Sequence, residues 1–85
     1  MKIKAEHYQH IKNELASLHL PDVMAYKAKL QASGQYKDFN TRFMYDLQRA
    51  AGLLSFVCDT IYTYADDSHY QTALFKAGKE LGFIN

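Results

Sequence analysis

Apolar residues fall along this chain at intervals of three and four, the spacing that lines up side chains on one face of an α-helix. Tyr8, Ile11, Leu15 and Leu18, with Lys12, Asn13 and Glu14 between them, predict a first helix over about 5–18. Pro21 suits the first turn of a second helix and Asp22 complements its positive end. Ser33-Gly34 supplies the stop, framing a helix over about 21–32 with a weaker apolar pattern of Val23, Tyr26, Ala28 and Leu30.

The most regular pattern follows. Asp38 is placed to cap a helix whose seam, Phe43, Leu47, Ala50, Leu54, Val57, Ile61 and Tyr64, runs across about 39–65. Gly52 lies inside it and costs roughly 1 kcal/mol relative to Ala in a helix interior, so the segment reads as one long or gently broken element. On this reading Leu54 is a core residue. Asp66-Asp67-Ser68 ends the element and starts another, with Ser68 and Gln71 at capping-box spacing. Tyr70, Ala73, Leu74, Ala77 and Leu81 form one face of a last helix, and Leu81-Gly82-Phe83 reads as its end, with Phe83 or Ile84 folding back. No alternating strand pattern competes. The expected fold is all-α: a small bundle of about four helices organised around one long central helix, either continuous or broken at Gly52, in a single domain over residues 1–85.

Composition agrees with a folded chain, since 48% of the 85 residues are hydrophobic and 22% charged. The net charge of +1 argues against a surface that is basic or acidic throughout, but the charge is unevenly placed. Residues 1–37 carry six Lys against three acids, whereas residues 38–69 carry two Arg against five Asp. A single cysteine, Cys58, fits a reducing cytoplasm. With no apolar stretch of membrane-spanning length and no leader-like N-terminus, the expectation is a cytoplasmic protein with no membrane role.

The residues that could carry chemistry are few. His7 and His10 share a helix face with Glu6 and Glu14 nearby, yet a closed zinc site needs four ligands, and a solvated polar face is the simpler reading. Cys58, Asp59 and His69 contain the types of an activated thiolate without its context, and Cys58 reads as a small buried or half-buried filler beside the seam. Asp66, Asp67 and His69 read as capping and turn residues before they read as an acid–base pair. Phosphate-binding glycine loops, a GxSxG elbow, HExxH and paired CxxC are all absent from the sequence. The expectation is therefore no enzyme activity, no cofactor and no metal.

Aromatic residues are the compositional oddity: seven Tyr and five Phe with no Trp. Most suit a helical core. On a continuous helix over 39–65, however, Tyr45 and Phe56 project within about 20° of each other on the side opposite the seam, with Asp59 and Thr63. Tyr45, Phe56, Asp59 and Thr63 are accordingly the candidate partner-binding face. The apolar arc of this helix covers nearly half its circumference, which makes a symmetric homodimer a further expectation.

The stretch Arg42-Phe43-Met44-Tyr45-Asp46-Leu47, then Ala50, Cys58-Asp59, Tyr62 and Asp66-Asp67-Ser68-His69-Tyr70-Gln71-Thr72-Ala73-Leu74, resembles a group of short proteins from tailed bacteriophages and prophages. Their pattern is Arg-aromatic-x-Trp-Asp-Leu, Cys-Asp, Tyr, then Asp-x-His-Ile-Asp-Thr-Ala-Leu. The similarity covers about residues 37–75, with Tyr45 in place of the Trp and Gln71 in place of the second acid. It implies a phage source and, by analogy with small phage accessory proteins, stoichiometric binding to a host target such as a CRISPR or restriction complex. The function expected is a non-enzymatic protein-binding module that inhibits a host protein or complex in the bacterial cytoplasm. The alternative is a small nucleic-acid-binding or regulatory protein contacting phosphate through Lys2, Lys4, Lys12, Lys27, Lys29 and Lys37.

Overall fold

The computed structural model describes residues 2–35 and 37–85, so Tyr36, one of the seven tyrosines, lies outside the described residues. Among these the chain is helical and contains no strand. The elements are α1 (Ala5–Ala16), α2 (Leu20–Ser33), α3 (Phe39–Ala50), a short α4 (Leu54–Phe56) that runs into a π-helical turn (Val57–Ile61), and α5 (Asp67–Glu80).

Local chemistry sets most of the ends. α1 stops at Ala16, two residues short of expectation, where the Ser17 hydroxyl donates to the Glu14 carbonyl at 2.6 Å. α2 begins with Pro21 in its first turn and ends at Gly34, whose φ of +63° is the left-handed conformation that glycine adopts without strain. Asp38 caps α3 as expected, its carboxylate accepting from the Thr41 hydroxyl at 2.6 Å. α5 departs in detail: Asp66, not Ser68, is its N-cap, accepting from the His69 amide at 3.0 Å and from the Ser68 hydroxyl at 2.8 Å. Gln71 does not close a box with Ser68 but reaches across to the Thr41 hydroxyl at 3.4 Å.

The expected helix over 39–65 is divided. At Gly52, with φ +74°, the Leu53 amide bonds back to the Gln48 carbonyl and the Gly52 amide to the Arg49 carbonyl, the paired bonds of a Schellman motif. The break changes which residues face inward. Phe43 and Leu47 stay in the core, but Ala50 is exposed and Leu54 is 45% exposed, while Leu53 is 1% exposed. Leu54 is therefore not a core residue. From Leu53 onward the inward set is Leu53, Val57 and Ile61, four apart. An α-helix would drift about 40° over each such step. The π turn, marked by the Tyr62 amide bonding to the Val57 carbonyl at 3.0 Å, takes more residues per turn and reduces that drift.

Packing runs from α1 to α5, from α5 to α3 and from α3 to α2. Ile11 and Leu15 of α1, Phe43 and Met44 of α3, Leu53, Ile61, and Tyr70 and Leu74 of α5 are the large fully buried side chains. Gly78 lets α5 lie close to α3: a Cβ there would sit 2.7 Å from the Met44 sulfur. The buried Gln48 side chain is satisfied by the Tyr70 hydroxyl, 2.5 Å from its Oε1. Past α5, Gly82 (φ +79°) makes a second Schellman motif, which turns Phe83 and Ile84 into the core as expected. No described helix is long and apolar enough to cross a membrane.

Candidate binding face around the π turn

The segment from Leu54 to Tyr64 has two flanks that the fold treats differently. One is covered. Phe56 lies against the His10 ring at 4.3 Å and meets the His7 ring edge-on at 5.8 Å, so α1 closes over it. Tyr64, on the same flank, has its hydroxyl 2.8 Å from His7 Nδ1, accepts from the Lys4 amide at 3.2 Å, and carries the Lys4 ammonium 5.1 Å above its ring. The pair His7 and His10 is thus engaged with aromatic rings.

The other flank is open. Leu54, Cys58 and Tyr62 recur every fourth residue and all are exposed, Leu54 at 45% and Tyr62 at 42%. Cys58, expected as a small buried or half-buried filler, is exposed here, one position beyond the inward Val57. The far end of this flank is held by a shared carboxylate. Asp67, the first residue of α5, accepts from the Tyr62 hydroxyl at 2.6 Å and from the Tyr45 hydroxyl at 3.2 Å. Tyr62 also meets the buried Tyr70 ring edge-on at 6.2 Å. Burial first, then the Asp67 charge, pushes the Tyr45 hydroxyl up to about 12. Burial and the hydrogen bond to Asp67 raise Tyr62 as well. Both phenols therefore stay neutral donors over the physiological range.

The four residues expected to share a face do not do so. Tyr45 and Phe56 stand on separate helices divided by Gly52, and both are half-buried: Tyr45 turns toward Asp67 and Phe56 toward α1. Their projected proximity required a continuous helix. Asp59 and Thr63 are exposed, and the Thr63 hydroxyl donates to the Thr60 carbonyl. The residues that the sequence reading passed over are Leu54, Cys58 and Tyr62. A signal was present: a helix stopped at Gly52 turns the next residue, Leu53, inward, and counting by fours from Leu53 leaves 54, 58 and 62 on a neighbouring stripe.

Of the six lysines in the alternative reading, three are tied internally. Lys4 lies over Tyr64, Lys12 is 3.8 Å from Glu80, and Lys27 donates to the Phe83 carbonyl at 2.6 Å beside the Phe43 ring. Lys2, Lys29 and Lys37 are exposed. His69 Nδ1 is 2.7 Å from Asp66 Oδ1, but that oxygen already serves as the helix cap. Among the described residues no three His, Cys, Asp or Glu side chains group as metal ligands would.

A groove of about 370 Å3 between α2 and α3 is lined by Tyr26, Asp46, Leu47, Arg49 and Ala50. Its acid is occupied, since Asp46 accepts from the Tyr26 hydroxyl and from Arg42 Nε at 2.9 Å. Comparison with protein-family models, with curated proteins and with solved structures finds no match to this chain.

Proposed function

We propose that this protein is a non-enzymatic module that binds a partner protein stoichiometrically through the open flank of the π turn. The observation that carries the reading is the exposed stripe Leu54, Cys58 and Tyr62 on a domain small enough to need every apolar side chain it can bury. Tyr62 is suited to anchoring because its hydroxyl is already fixed on Asp67 and its ring rests on Tyr70, so little side-chain freedom remains to be lost on binding. Tyr45, Asp59 and Thr63 border this stripe in the reading; Phe56 does not, being covered by α1. The resemblance to tailed-phage proteins directs the choice of partner to a host protein of the bacterial cytoplasm, a defence complex of the CRISPR or restriction type among them.

Capture from a bacterial host lysate tests the reading. The intact protein is expected to retain a partner, and Leu54→Ser to weaken retention by about 1–2 kcal/mol or more with the helical circular dichroism unchanged. A partner held equally well by Leu54→Ser, and by a second variant, Cys58→Asp, would place the binding surface elsewhere.

A further inference from the structure

Taking the open flank as the binding face, we infer that its occupant is a Lys- or Arg-rich amphipathic segment of another protein. Between Arg49 and Lys76 the sequence contains no Lys or Arg, yet it contains Asp59, Asp66 and Asp67. All three are exposed, and all three lie on the segment that carries the stripe or on the turn into α5. The groups bonded to Asp67 leave its charge standing. Asp67 accepts from two phenols, whereas Asp66, which accepts from a backbone amide and a hydroxyl, also has His69 Nδ1 2.7 Å away. The flank therefore presents an apolar line, Leu54 to Tyr62, bordered by carboxylates.

That combination selects among occupants. Two copies of the chain meeting face to face would set three aspartates against three, a like-charge arrangement that disfavours association. A nucleic acid would bring phosphates to the same carboxylates. A purely basic segment would leave Leu54 and Tyr62 without apolar contact. A basic amphipathic helix or loop satisfies both halves, burying the stripe under its apolar side and placing its cations over Asp59 and Asp67.

The test uses the intact protein and three short synthetic peptides followed by fluorescence anisotropy: an amphipathic Leu/Lys helix, its Leu/Glu counterpart and a Ser/Lys peptide of the same charge. The Leu/Lys helix is expected to bind at least about tenfold more tightly than either control. Leu54→Ser and Asp59→Lys are each expected to weaken it by about tenfold, and Asp59→Asn by less, with added salt reducing the differences at position 59. Equal binding of the Leu/Glu helix, or indifference to Asp59→Lys, would overturn the inference. So would a dimer in sedimentation that Leu54→Ser dissolves, since the occupant would then be a second copy. If Leu54→Ser abolishes partner capture from lysate while Asp59→Lys leaves it intact, the face stands as a binding face and only the basic chemistry falls. If neither variant affects capture, the face itself is lost.

Discussion

Two helix ends in this molecule are built alike and are followed by different things. At Gly52 and at Gly82 the glycine takes φ +74° and +79°, and the residue after it, Leu53 or Phe83, bonds back five residues and is buried. The next residue is where they part. After Gly82, Ile84 also turns inward and is 4% exposed; after Gly52, Leu54 turns outward and is 45% exposed. The motif dictates only its own hydrophobic contact. Whatever comes next is set by the surface waiting for it: Ile84 meets the α5–α3 crossing at Gly78, whereas the outward flank at Leu54 ends on the exposed Tyr62 and Asp67. An apolar side chain left outside by a motif that did not require it is what recommends this flank as the proposed binding face.

The comparison breaks first at the buried partners. Leu53→Ala and Phe83→Ala should each destabilise by about 2–5 kcal/mol, a large share of the stability of a domain this small, while Leu54→Ala should move it by less than about 0.5 kcal/mol. Chemical denaturation of the three variants measures this directly. A large loss for Leu54→Ala together with a small one for Leu53→Ala would restore the continuous helix.

The glycines give a smaller and more symmetrical effect. A Cβ at either Gly52 or Gly82 meets nothing within 4 Å, so the cost of Gly52→Ala or Gly82→Ala is that of the left-handed backbone alone, about 1–2 kcal/mol each. Nearly equal shifts in thermal midpoint are expected. If Gly52→Ala instead raises stability and helical content, Ala has fused α3 with the segment beyond it.

The smallest effects are in pH, where phenols and carboxylates act with opposite sign. Near the π turn, the neutral Tyr45 phenol is favoured in the folded state, so its contribution is complete below its ordinary value of 10.0 and is lost as pH rises toward about 12. At the last residue of α5, the hydrogen bond from Tyr8 holds the Glu80 carboxyl below its ordinary 4.5, and the bonds from His69 and Ser68 hold Asp66 below 3.8. Those contributions are present above the ordinary values and are lost as pH falls through the lowered ones. Stability measured against pH should therefore decline at both extremes. Tyr45→Phe should flatten part of the alkaline limb alone, whereas Glu80→Gln should flatten part of the acid limb and, through its bond from Tyr8, part of the alkaline limb as well.

Much of the architecture was legible because it is written in local chemistry. Pro21 and Gly34 bracket α2, Asp38 caps α3, and Gly82 with Phe83 and Ile84 closes α5, each through bonds among near neighbours. The division at Gly52 was obscured because Ala50, Leu54 and Val57 continue the spacing of four and three across it. Leu53 and Leu54 are the same residue type, so composition could not say which faces inward. The candidate face was less legible still. Tyr45 and Asp67 are 22 residues apart in sequence, and Phe56 is covered by histidines from α1; neither relation has a spacing signal along the chain.

The pairing of α1 with α5 also sets the order in which this chain can be assembled. Tyr8 bonds to Glu80 across 72 residues, the Lys4 amide to Tyr64 across 60, and Lys27 to the Phe83 carbonyl across 56. α1 leaves a ribosome before α5, yet its apolar face, Tyr8, Ile11 and Leu15, is committed to that later helix. Before then α2 and α3, neighbours along the chain, can pack on each other, and the polar side of α1 can meet Phe56 and Tyr64. Loop closure over such distances is slow relative to that of local helical hairpins, and α1 must pass through synthesis with its apolar side unburied. We therefore expect folding of this domain to wait on Tyr70, Leu74 and Ala77, so that a nascent chain arrested before them should be cut faster by added protease than one arrested beyond Glu80.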